Sequence, residues 1–127
     1  MKQLLVLSMI VMILLACKKD KEEISLKGKW NLENFIYKEY ESGVLVDTET
    51  EAGNGATLDF QNNGNLIITS PGSPVETLSY TIKPNSQVDI DGDIYEIKNL
   101  NASNVTLYIR EDYAPGDYDE IFLNLKR

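Results

Sequence analysis

After Leu26 the chain alternates apolar and polar residues at every second position, in short runs separated by turn residues. A period of two belongs to a strand with one buried face, whereas an amphipathic helix repeats every 3.6 residues. The first run, Lys29 to Tyr40, sets Trp30, Leu32 and Ile36 against Asn31, Glu33 and Tyr37. In Ala56 to Gln61, Leu58 and Phe60 oppose Thr57, Asp59 and Gln61, and Asn65 to Ser70 returns after Asn62-Asn63-Gly64. Thr77 to Lys83 alternates Leu78, Tyr80 and Ile82 with threonine and serine; Gln87 to Ile90 and Asp93 to Asn99 flank Asp91-Gly92. Val105 to Glu111 and Tyr118 to Lys126 complete the series, joined by a loop containing Ala114-Pro115-Gly116.

Asn-Gly and Asp-Gly tolerate the positive φ of tight hairpins, and Pro71-Gly72-Ser73-Pro74 breaks the ladder because proline has no N–H to donate. The pattern therefore predicts an all-β domain of about eight or nine antiparallel strands. Periodicity alone fits a sandwich as well as a barrel. Short connections between consecutive runs favour an up-and-down meander, and closing it removes the exposed sheet edges that invite aggregation.

The segment before this domain has a different character. Lys2 precedes an uncharged apolar run from Leu4 to Ala16, and Leu14-Leu15-Ala16-Cys17 ends it. A positive start followed by so short an apolar run is a secretory signal, since an ordinary spanning helix needs about 20 residues. Its end resembles the lipobox of bacterial lipoproteins: Leu14 three positions before the cut, small Ala16 just before it, and Cys17 as the thiol that takes the lipid. Leu15 is bulkier than the small residue usual at that place. The resemblance implies a signal peptide over residues 1–16, acylation of Cys17 and anchoring in the cell envelope, with the outer membrane expected and its face left open. Two or more acyl chains, at about 0.8 kcal/mol per buried methylene, give stable attachment. Residues 17–25 then read as the acylated cysteine and a charged tether.

Composition narrows the chemistry. Removing residues 1–16 takes one lysine and no acid, which moves the formal charge from −8 to −9. So acidic a chain is unsuited to nucleic acid or to electrostatic docking on anionic headgroups, which leaves membrane attachment to the lipid. The absence of histidine removes histidine-based triads, acid–base chemistry and histidine-ligated metals; the one cysteine, if acylated, is unavailable for thiol chemistry or a disulfide. Carboxylate, lysine, tyrosine and hard-metal chemistry stays open. Carboxylates such as Asp59 and Asp93 form no pair placed for acid–base work, so a non-catalytic protein without cofactor or metal is expected ahead of an enzyme.

Leu26-x-Gly28-x-Trp30 resembles the opening motif of lipocalin-like proteins. There the glycine admits the chain to the first strand, the tryptophan plugs the closed end of the barrel, and a basic residue of the last strand packs across the indole. Lys126 and Arg127 are the candidates here, so the resemblance implies a barrel-closing set of Gly28, Trp30 and Arg127. It covers residues 26–127 loosely, through Leu58-Asp59-Phe60 before Asn63-Gly64 and Tyr95 to Leu100 before Val105-Thr106-Leu107-Tyr108. The second lipocalin motif is missing, and the chain is short for a full-sized calyx. Trp30 is equally readable as an ordinary core tryptophan, which also places it inside.

Three further places carry chemistry. Asp89, Asp91, Asp93 and Glu96 gather carboxylates suited to calcium, but the spacing is not that of an EF-hand, and Asp91-Gly92 reads better as a hairpin tip with solvated shoulders. Residues 41–55, acidic through Glu41, Asp47, Glu49 and Glu51, read as a lid over the barrel mouth or as an extra strand at Val44 to Val46 with acidic flanks. Tyr113, Asp117 and Tyr118 flank the Pro-Gly turn, where they suit contact with a sugar or protein. Asn101 and Asn104 stand in glycosylation patterns that occur here by chance.

The resemblance implies a lipid-anchored barrel that binds a small apolar or amphipathic molecule in its mouth. The alternative is a packed barrel acting as an interaction or inhibitor module for another envelope or secreted protein. An apolar pocket of roughly 300 Å3 or more opposite Trp30 favours the first. A filled interior with an exposed apolar patch favours the second.

Overall fold

The computed structural model describes residues 24–127, a single antiparallel sheet without helices. Its strands are β1 (Gly28–Glu41), β2 (Val44–Ala52), β3 (Thr57–Phe60), β4 (Asn65–Thr69), β5 (Glu76–Lys83), β6 (Gln87–Ile90), β7 (Asp93–Lys98), β8 (Asn104–Ala114) and β9 (Asp117–Lys126). Neighbours follow chain order from β3 to β9, and β1 closes the ring by pairing with both β3 and β9. Eight strands thus form a closed barrel, and β2 is the ninth, outside the ring. The all-β fold expected from alternation and the closed meander expected from the short connections are both observed. The expected signal peptide, Cys17 and most of the expected tether lie outside the described residues.

Inward positions fill the lower barrel. Trp30, Val88 and Leu107 have no exposed surface, and Phe60, Leu66 and Leu125 have only 1%. A void large enough for a ligand would leave these side chains accessible surface, so the interior here is packed, as befits a small barrel. Leu32, Ile68, Leu78 and Leu123 close over this core from above.

Strand lengths make the barrel lopsided. β3 and β6 have four residues each, while β1 has 14, β8 has 11 and β9 has ten. β1 pairs with β3 only up to Asn31; from Asn34 to Glu41 its partner on that side is β2. β2 and β3 are therefore two halves of one long strand running back along β1, bent at Gly53–Ala56. A Cβ on Gly53 would lie 1.8 Å from the Leu32 carbonyl oxygen, so only glycine permits this approach. Below the bend β3 continues into the ring; above it β2, β1, β9 and β8 stand as a wall rising roughly 25 Å of strand beyond it.

Candidate interaction site

The wall has two faces because its upper half has no barrel wall opposite it. Residues paired across strands share a face. One face runs from the buried Leu107 through Leu123 to Phe35, and higher up through Ile109, Ile121 and Tyr37 to Glu49. It continues the barrel interior upward, and its apolar side chains are half-buried. At the top, Asp119 is 5% exposed and accepts hydrogen bonds from the Tyr37 hydroxyl at 2.5 Å and the Tyr113 hydroxyl at 2.6 Å, both on Oδ2. The hydrogen bond to Asp119, then burial and the Asp119 charge, push the Tyr37 hydroxyl up to about 12. Tyr113 is raised chiefly by the same carboxylate.

The other face is laminated by rings and cations. Tyr40 stacks on Tyr118 with centroids 4.4 Å apart, and the Arg110 guanidinium lies 3.6 Å from the Tyr118 centroid. Tyr108 tilts against Phe122 at 5.0 Å, with Lys98 over Tyr108 and Lys38 over Phe122. Glu120 accepts from the Tyr108 hydroxyl at 2.6 Å. Burial would raise this carboxyl, but the Tyr108 and Tyr40 hydroxyls, with Lys38 and Arg110 nearby, outweigh it and hold the group below its ordinary value. Such contacts stiffen a sheet that lacks a second layer.

The two hairpin tips clasp each other. Pro115-Gly116 forms a two-residue turn, and Gly116 has φ +82°, as the third position of a type II turn requires. Its carbonyl accepts from the Gly43 amide at 2.8 Å, and Asp117 Oδ1 accepts from the Ser42 amide at 2.9 Å. Residues 112–117, expected as a loop, thus belong largely to strands, because a tight turn takes only two of them.

β2 is exposed along all nine residues, including Val44 at 63% and Val46 at 50%. It stands up against β1 and does not lie across the mouth as a lid. The strand reading of this region holds and extends from Val44 to Ala52. Beside its lower end, at the rim opposite Trp30, a groove of about 380 Å3 opens between Phe35 and Ala52 on one side and Ser70 and Pro71 on the other, with Leu32 and Ala56 at its base.

At the opposite end Gly28, Trp30 and Arg127 meet. The Trp30 indole Nε1 donates to the Leu26 carbonyl at 2.8 Å, and the Arg127 guanidinium lies 3.8 Å from the Trp30 ring centroid. Arg127 also donates to the carbonyls of Lys27 and Ser25, each at 3.0 Å. A Cβ on Gly28, which has φ +109°, would come within 3.2 Å of the guanidinium. The other candidate, Lys126, reaches outward to Glu33 at 4.0 Å.

The acidic hairpin at Asp91-Gly92 is a tight turn, with Asp89 Oδ1 accepting from the Gly92 amide at 2.8 Å and pairing loosely with Lys83. Among the described residues no three carboxylates converge to hold a metal ion. Asn101 Oδ1 accepts from the amides of Ser103 and Asn104, as in an Asx-type turn. The chain matches no family model, and none of the curated proteins is significantly similar to it.

Proposed function

We propose that this is a non-catalytic, lipid-anchored protein of the bacterial cell envelope, whose filled barrel is a rigid base presenting the tall wall to another envelope or secreted protein. The observation that carries this reading is a packed interior beneath an unopposed wall. Space for a calyx is taken by Trp30, Phe60, Val88 and Leu107, while apolar surface is left open on β2 and on the wall's inner face. Exposed apolar groups bordered by polar ones mark interaction surfaces.

Orientation supports the same reading. Ile24 and Ser25 leave the barrel beside Arg127, at the Trp30 end. Cys17 is seven residues before Ile24, a reach of at most about 25 Å. Acylation of Cys17 would therefore turn the Trp30 end toward the bilayer and the wall away from it. Cys17→Ser is expected to abolish lipid labelling and release the protein from membranes; labelling that persists contradicts the anchor.

The second reading, a small apolar or amphipathic ligand, rests on the groove beside Leu32, Phe35 and Pro71, which has the volume of a ligand pocket but is open and not apolar, since Glu51, Asn54 and Ser70 also line it. Native mass spectrometry of the full-length protein extracted from its host separates the two. The wall reading expects a stoichiometric protein complex that is lost when the exposed Leu45 and Val46 are both changed to glutamate. A small molecule carried by both forms supports the groove reading, and bare monomer in both cases contradicts each.

A further inference from the structure

From the free edge of β2 we infer that the partner contributes an extended, basic segment, which adds to the sheet as a strand beside Val44–Ala52. The inference rests on the wall reading and names the chemistry of the partner. β2 is the terminal strand of the sheet order, paired on one side only, so its outer backbone N–H and C=O groups point to solvent. Below the bend, β3 has its outer edge covered by β4, from Thr57 against Thr69 to Phe60 against Leu66. Above it the same edge is open, because β4 ends at Thr69 and the chain turns away at Pro71. An added strand would lie where β4 would have continued. Backbone pairing of this kind gives affinity without a deep pocket, and alternate side chains give selectivity.

The charge of the edge selects the occupant. Glu51, Glu49 and Asp47 pair with Phe35, Tyr37 and Glu39, so the three carboxylates share the wall's inner face at every second position. Among the described residues none of them lies within ion-pair distance of a lysine or arginine; Lys38, the nearest cation along β1, is turned to the other face over Phe122. A second copy is a poor occupant. Antiparallel self-pairing centred on Thr48 would set Asp47 against Glu49 on the same face, and like charges directly opposed are destabilising. A segment with Lys or Arg at alternate positions meets the carboxylates instead, and the groove beside Phe35, Ala52 and Pro71 accepts one apolar side chain at its end.

Full-length protein in detergent is titrated with a capped nine-residue peptide alternating Lys and Thr, and with its Glu–Thr counterpart, while backbone amides are followed by NMR. The Lys peptide is expected to bind and to slow exchange of alternate β2 amides, with Kd lower than the Glu peptide's by about tenfold or more from three exposed ion pairs. The variant E49K/E51K, altered only at exposed side chains, is expected to reverse the preference. Equal binding of both peptides, binding of neither, protection outside β2, or a β2-mediated dimer of the free protein overturns the inference. If strand addition fails while the native complex still depends on Leu45 and Val46, the wall reading survives; loss of that dependence removes the reading itself.

Discussion

At the residue scale, the two ends of the molecule were unequally legible. Gly28 and Trp30 sit two positions apart, so local sequence brings them together. Strand parity also distinguishes Arg127 from Lys126: Leu125 is buried, and a residue two positions on returns to its side of the sheet. Arg127→Ala removes the cation over the indole together with bonds to Lys27 and Ser25. It is expected to lower stability by about 1–3 kcal/mol in a denaturant titration; an unchanged midpoint would make the contact incidental. Asp119, by contrast, gave no sequence signal. Its partner Tyr37 is 82 positions away, and an acid in an alternating strand reads as solvated. Tyr37 has a raised pKa, so its contribution is complete below the ordinary tyrosine value near 10 and is lost as pH climbs through about 12. Phenolate absorbance should lose one late step near pH 12 in Tyr37→Phe, with Tyr108 and Tyr113 still ionising above it, whereas an identical titration curve would remove the hydrogen bond from consideration.

At the scale of elements, alternation located every strand that has a buried face and shortened the one that has none. It also set Ile36 beside Trp30 and Leu32, whereas the bulge between Leu32 and Asn34 turns Phe35 and Tyr37 inward and Ile36 to the other face. β2 offers Val44-Leu45-Val46 followed by alternating acids and threonines, all exposed, so burial imposes no period on it. It exists because β1 is long and needs a partner above Asn31. The bend that divides it from β3 was equally hidden, since Gly53-Asn54-Gly55 reads as a loop. Ala56 N donating to Gly53 O and Gly53 N donating to Glu33 O show a turn held against β1. Gly53→Ala forces a methyl group onto the Leu32 carbonyl, and a loss of about 1–3 kcal/mol is expected from the displaced backbone. Thermal unfolding at the wild-type temperature would show that the bend relaxes freely.

Across the whole molecule, the sequence carried the closed barrel but not its height on one side. Resemblance to lipocalin-like proteins implies a calyx, whereas the shortness of the chain already favours an interior filled by side chains. A ring whose shortest strands have four residues leaves little room once Trp30, Phe60, Tyr80 and Leu107 have entered it. Whether an interior is hollow depends on the summed volume of side chains brought together from eight strands, which no local pattern reports. The wall arises from the same inequality of strand lengths, so packed base and open wall are two consequences of one architecture.

Hydrogen exchange on the full-length protein, alone and bound to the proposed protein partner, tests the proposed roles of base and wall most directly. Slower exchange should be confined to residues 44–52 and the adjoining wall, with the amides around Trp30, Val88 and Leu107 unchanged. Protection gained inside the lower barrel, with β2 still exchanging freely, would contradict recognition at the wall.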